Sequence, residues 1–140
     1  MRFRLCAAAL GLSLLVAGLS GCGGGGSSSA NNTVDFQGEY LGTFGGTTNG
    51  APETGTLSTT VAADGALTGT AHSNTNNADG AVTGTLSNTG AFNSTFAYPG
   101  GSVTLTGTVV RDSRRHLIGT LTEFSGATAI GTLSIDLTRQ

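Results

Sequence analysis

Residues 82–86 read Val82-Thr83-Gly84-Thr85-Leu86, and this small frame recurs along most of the chain. The other copies are Tyr40-Leu41-Gly42-Thr43-Phe44, Gly55-Thr56-Leu57, Leu67-Thr68-Gly69-Thr70-Ala71, Leu105-Thr106-Gly107-Thr108-Val109, Leu117-Ile118-Gly119-Thr120-Leu121 and Ala129-Ile130-Gly131-Thr132-Leu133. Successive glycines are mostly 12 to 15 residues apart. The one long gap, between Gly84 and Gly107, holds Ala91 to Tyr98, where Phe92, Phe96 and Tyr98 alternate with small or polar residues and Ser94 takes the glycine's place. Apolar residues sit at i−2 and i+2 from the glycine with threonines between, and a period of two is the signature of a half-buried strand. Threonine suits the exposed face of a pleat. Glycine falls on the inward face, where it permits tight coiling of the sheet.

Turn signals separate the units: Asp64-Gly65, Asp79-Gly80, Asn88-Thr89-Gly90, Pro99-Gly100-Gly101, Asp112-Ser113 and Ser125-Gly126. No stretch shows a useful 3.6-residue period. The pattern predicts an all-β fold, an eight-stranded antiparallel up-and-down meander closed into a small barrel, since closure removes both edges. A rolled open sheet or a sandwich is the alternative. The domain spans residues 34–140. Its lean interior predicts little room for a large buried ligand. Strands of about 6–10 residues with a Thr, Ser and Asn outer face argue against a membrane-spanning barrel, which needs about 9–11 residues and an apolar band.

The N-terminus is different in kind. Arg2 and Arg4 precede an apolar run from Leu5 to Leu19, which is too short for a transmembrane helix of about 20 residues. The run ends Leu19-Ser20-Gly21-Cys22, which resembles the lipobox of bacterial lipoproteins at all four positions. The resemblance implies that residues 1–21 are a signal peptide and that Cys22 carries diacylglycerol and an N-acyl chain such as palmitate. It also implies anchorage in the cell envelope. Two or more chains make such an anchor stable. Gly23, standing where an aspartate would retain the protein in the inner membrane, points by the same resemblance to the outer membrane, facing periplasm or cell surface. Residues 22–33, Gly23-Gly24-Gly25-Gly26-Ser27-Ser28-Ser29-Ala30-Asn31-Asn32 among them, read as the lipidated cysteine and a flexible tether. No strand precedes this run and no Gly-Lys-Ser/Thr follows it, so it is not a phosphate loop. Cys6 lies in the signal peptide, so the domain has no disulfide.

Catalytic chemistry is absent from the pattern. His72 and His116 are the only histidines, and neither stands in a metal-ligand or nucleophile motif, so no catalytic residue, metal site or cofactor is predicted. Thr75-Asn76-Asn77-Ala78-Asp79-Gly80 has the outline of a calcium loop, but its closing position is Leu86 instead of glutamate. Arg111, Arg114 and Arg115 with His116 gather positive charge on one hairpin, a candidate contact patch for an anionic lipid or an acidic envelope protein. After residue 22 the chain has four arginines, no lysine and eight acids, a charge of about −4 that argues against nucleic acid. Ala63-Asp64-Gly65-Ala66-Leu67-Thr68-Gly69-Thr70 resembles the second hairpin of the avidin and streptavidin family, eight-stranded up-and-down barrels. That family walls its biotin site with tryptophan, and this chain has none.

Three functions are compatible with these residues. The first is a non-enzymatic, lipid-anchored barrel acting by surface contact or in a structural role. The second is a small-ligand carrier of lipocalin or avidin type, with Tyr40, Phe44, Phe92, Phe96 and Tyr98 as pocket walls. The third is a periplasmic protease inhibitor, using the tether or a protruding loop at Thr47-Thr48-Asn49-Gly50-Ala51-Pro52. An interior cavity of some 300 Å³ or more would favour the carrier.

Overall fold

The computed structural model describes residues 36–140; the signal peptide, Cys22 and the tether lie outside the described residues. Eight strands follow one another: β1 Gly38–Thr48, β2 Ala51–Val61, β3 Ala66–Ser73, β4 Ala78–Leu86, β5 Ala91–Tyr98, β6 Gly101–Arg111, β7 His116–Ser125 and β8 Thr128–Arg139. Each pairs antiparallel with the next, and β8 returns to β1, so the sheet is a closed up-and-down barrel rather than an open sheet or sandwich. The strands run 8 to 12 residues, longer than the hydrophobic pattern alone predicts. The difference is polar: ladder pairing continues beyond the apolar frame through pairs such as Thr47↔Pro52 and Thr48↔Ala51.

The inward glycines sit where adjacent strands approach too closely for a side chain. A Cβ on Gly84 would lie 2.1 Å from the Asn93 carbonyl oxygen, and one on Gly107 2.2 Å from that of Thr120. This close approach is what lets a lean eight-stranded sheet coil shut. Ser94 can replace the glycine of its strand because its pairing partner is Gly84, whose missing side chain leaves the space.

The two ends of the barrel are built differently. At one end the β2–β3, β4–β5 and β6–β7 hairpins use four-residue loops, residues 62–65, 87–90 and 112–115, with the same pair of backbone hydrogen bonds in each. Beneath them Tyr40, Val61, Leu67, Leu86, Phe92, Val109, Leu117 and Leu137 are all at most 2% exposed. Phe36 leads into β1 at this end, and the Tyr40 hydroxyl donates to its carbonyl oxygen at 2.9 Å. At the other end three of the four hairpins turn in two residues. Asn49-Gly50 has positive φ at both positions (51° and 77°), as the twist-matched type I′ turn requires. The expected protruding loop at residues 47–52 is therefore a flush turn, because Thr47, Thr48, Ala51 and Pro52 are paired in β1 and β2.

Candidate functional site

Short turns leave this second end uncapped, and the barrel interior opens there into a cavity of about 540 Å³. The cavity is roomier than the sequence-based expectation of little space for a large buried ligand, for a reason of volume. Near the mouth the inward positions Gly46, Gly55, Gly80, Gly101 and Gly131 carry no side chain, while Ala71, Ser73 and Ala78 carry small ones. The few large side chains lie along the wall. A Cβ on Gly55 would meet the Phe44 ring at 2.3 Å, and one on Gly80 the Phe96 ring at 2.4 Å. Each phenyl ring thus lies against bare backbone rather than filling the centre. Phe96 and Tyr98 stand side by side on β5, with ring centroids 5.4 Å apart and planes tilted by 38°. Val82, Phe92, Leu57 and Leu121 line the cavity from the apolar core.

Two carboxylates stand in this apolar cup. Glu53 on β2 is 6% exposed and Glu123 on β7 is 7% exposed. Both oxygens of Glu53 are held: Ser73 Oγ donates to Oε1 at 2.5 Å and Asn76 Nδ2 to Oε2 at 3.0 Å. Asn76 is itself anchored by its backbone N–H to Ser73 Oγ at 3.0 Å, so the β3–β4 loop is folded onto the site. Glu123 receives one hydrogen bond, from Thr48 Oγ1 to Oε2. Gly131 lies between them in the sheet, paired with both Glu123 and Thr48, and its bare backbone lets the carboxylate reach across β8. Burial pushes the Glu123 pKa above the usual carboxylate range, the Thr48 hydrogen bond opposes this, and the nearby Glu53 charge adds to the rise.

A register shift follows directly, between Glu123 and Phe124, where Ile130 is left without a pairing partner on β7. Ile130 stands on the outward parity of β8, yet it lines the cavity mouth, and its carbonyl accepts the Asn49 N–H at 2.6 Å. Re-aiming a side chain in this way is a common use of a bulge beside a site.

Of the expected pocket residues, Phe44, Phe92, Phe96 and Tyr98 line the cavity; Tyr40 does not, because it packs at the opposite end against Phe36. The Arg111, Arg114, Arg115 and His116 hairpin also lies at that opposite end. Asp112 accepts the backbone N–H groups of Arg114 and His116, and His116 Nδ1 lies 2.9 Å from Asp136 Oδ1, so acids are interleaved with the arginines. His72 Nδ1 pairs with Asp79 Oδ1 on the outer wall at 2.8 Å, as the pairing His72↔Asp79 between β3 and β4 places it. Among the described residues no three His, Cys, Asp or Glu side chains gather as a metal site.

Sequence reasoning missed Glu53 and Glu123, although a signal was present. Glu53 occupies the i−2 position of the Gly55 unit, and Glu123 follows Leu121 by two. Both are acids on the inward parity, where the frame otherwise calls for an apolar residue. No protein-family model, no curated protein and no solved structure matches this chain.

Proposed function

We propose that this chain is a non-enzymatic, lipid-anchored binding barrel of the bacterial cell envelope that carries a small ligand in its open end. The observation that carries the reading is the cup of about 540 Å³, within the range of small-molecule sites and lined by apolar and aromatic side chains with a few convergent polar groups. The anchoring half rests on the lipobox-like Leu19-Ser20-Gly21-Cys22 and the Gly/Ser run behind it. The described residues begin at Phe36, at the closed end, so a tether would join the barrel at the end opposite the cup. The Arg111–His116 hairpin lies at the same closed end, which favours a secondary role for it in contacting anionic headgroups.

Titration of the full chain in mild detergent with the neutral fluorescent probe N-phenyl-1-naphthylamine tests the binding half. Saturable binding is expected, weakened at least about tenfold by Val103→Phe, which grows into the cup. Absence of saturation, or indifference to Val103→Phe, contradicts it. For the anchor, Cys22→Ser should move the protein from the membrane fraction to the soluble one. Membrane sedimentation that survives the change removes the lipoprotein reading.

A further inference from the structure

The cup has a charge preference as well as a volume. Its lining contains two glutamates and no arginine, lysine or histidine. Glu53 is satisfied by two donors, but Oε1 of the nine-tenths-buried Glu123 takes no hydrogen bond from any described residue. That oxygen is open to the cup rather than sealed in the wall, and a donor brought by a ligand would pair it where the protein supplies none. Phe44, Phe96 and Tyr98 line the same cup, where aromatic rings suit both a cation and an apolar body.

A hard divalent ion fits this environment poorly, since it takes six or more oxygen ligands and the walls here are mostly carbon. A neutral ligand can donate a hydrogen bond to Glu123 but leaves its charge unbalanced, and an anionic one adds to that charge. Resting on the reading of the cup as a binding site, we propose that its ligand is a small organic cation. An ammonium group would sit against Glu123 and Glu53, and an apolar or aromatic body would lie along Phe44, Phe96 and Tyr98. Charge-assisted N–H to carboxylate hydrogen bonds would orient it, with the charged end toward β2 and β7.

Three probes of one shape separate the possibilities: 1-naphthylmethylamine, 1-naphthylmethanol and 1-naphthoate, titrated against the full chain at neutral pH and low salt by calorimetry. The expected result is amine binding at least about tenfold tighter than the alcohol, with the carboxylate weakest. In Glu123→Gln, which keeps the side chain's shape and its contact with Thr48, amine affinity should fall toward that of the alcohol while alcohol affinity holds. Equal binding of amine and alcohol overturns the cation proposal and leaves the cup as a binding site. An amine preference undiminished in both Glu123→Gln and Glu53→Gln overturns the placement of the ammonium group. Binding of none of the three at millimolar concentration overturns the cup itself.

Discussion

Val103 and Val109 stand on the same face of β6, both inward, yet they meet different surroundings. Val109 is 1% exposed and packs with Leu86, Phe92 and Leu117 in a solid core, while Val103 lines an open cavity. The strands are the same and so is their coil: an inward Cβ would strike a neighbouring carbonyl at Gly46, near the mouth, as at Gly84 nearer the closed end. What differs is filling. One end receives Phe36, Tyr40 and a ring of leucines, and the other receives glycine, alanine, serine and two glutamates. A barrel of fixed girth can therefore be core and cup at once, according to which inward positions are spent on volume.

Removing volume should expose that difference most strongly. Leu117→Ala, fully buried at the closed end, is expected to cost about 2–5 kcal/mol because the cavity it leaves is lined by rigid neighbours. Leu105→Ala, partly buried near the cup, should cost clearly less. Chemical denaturation of both variants checks the gradient, and equal losses would break it.

Adding a side chain at the glycines should, by contrast, be damaging at both ends. Gly84→Ala and Gly46→Ala place a methyl group 2.1 and 2.0 Å from a backbone carbonyl oxygen, which no side-chain rotation relieves. About 1–3 kcal/mol each is expected, with Thr85→Val on the outer wall close to neutral. A benign Gly46→Ala alone would mean that the mouth is looser than the closed end, in coil as well as in filling.

The closed end also carries a mild local strain. Its three four-residue loops place Gly65, Gly90 and Arg115 in the same left-handed position, with φ of 85°, 84° and 68°. Only the third pays for a side chain there, and Asp112 holds that loop by accepting two backbone N–H groups. Arg115→Gly should stabilise the fold by about 1 kcal/mol in thermal melts. No gain would mean that the arginine side chain compensates for its backbone.

At the open end the corresponding liability is Glu123. Its folded-state pKa is raised, so the fold favours its protonated form. That contribution is fully present below the ordinary carboxylate pKa and is lost as pH rises through the raised value. Glu123→Gln should accordingly melt higher than the parent chain at neutral pH, with the gap closing on acidification. A gap that widens in acid reverses the sign and contradicts the burial of this carboxylate.

The recurrent Gly-Thr frame made the barrel legible because period-two patterning, inward glycine and turn residues all point to one closed meander. Even Ser94 could be read as a substitute for glycine. The cup was harder to read. The apolar pattern says which side chains turn inward but not whether their volumes fill the space they enclose. Glu53 and Glu123 interrupt the inward frame at single positions, and only the register through Gly131 shows that Glu123 reaches Thr48. Tyr40 and Phe44 belong to one frame, and the sequence alone has nothing to assign the first to the core and the second to the cup.

The central claim, a barrel solid at one end and hollow at the other, is tested most directly by the two valines of β6. Thermal and denaturant melts of Val109→Phe and Val103→Phe should differ. Val109→Phe is expected to lose about 1–3 kcal/mol through overpacking, whereas Val103→Phe should stay within about 0.5 kcal/mol of the parent because the ring grows into the cavity. Equal destabilisation at the two positions would mean that the open end is as tightly filled as the closed one, and the account would be wrong.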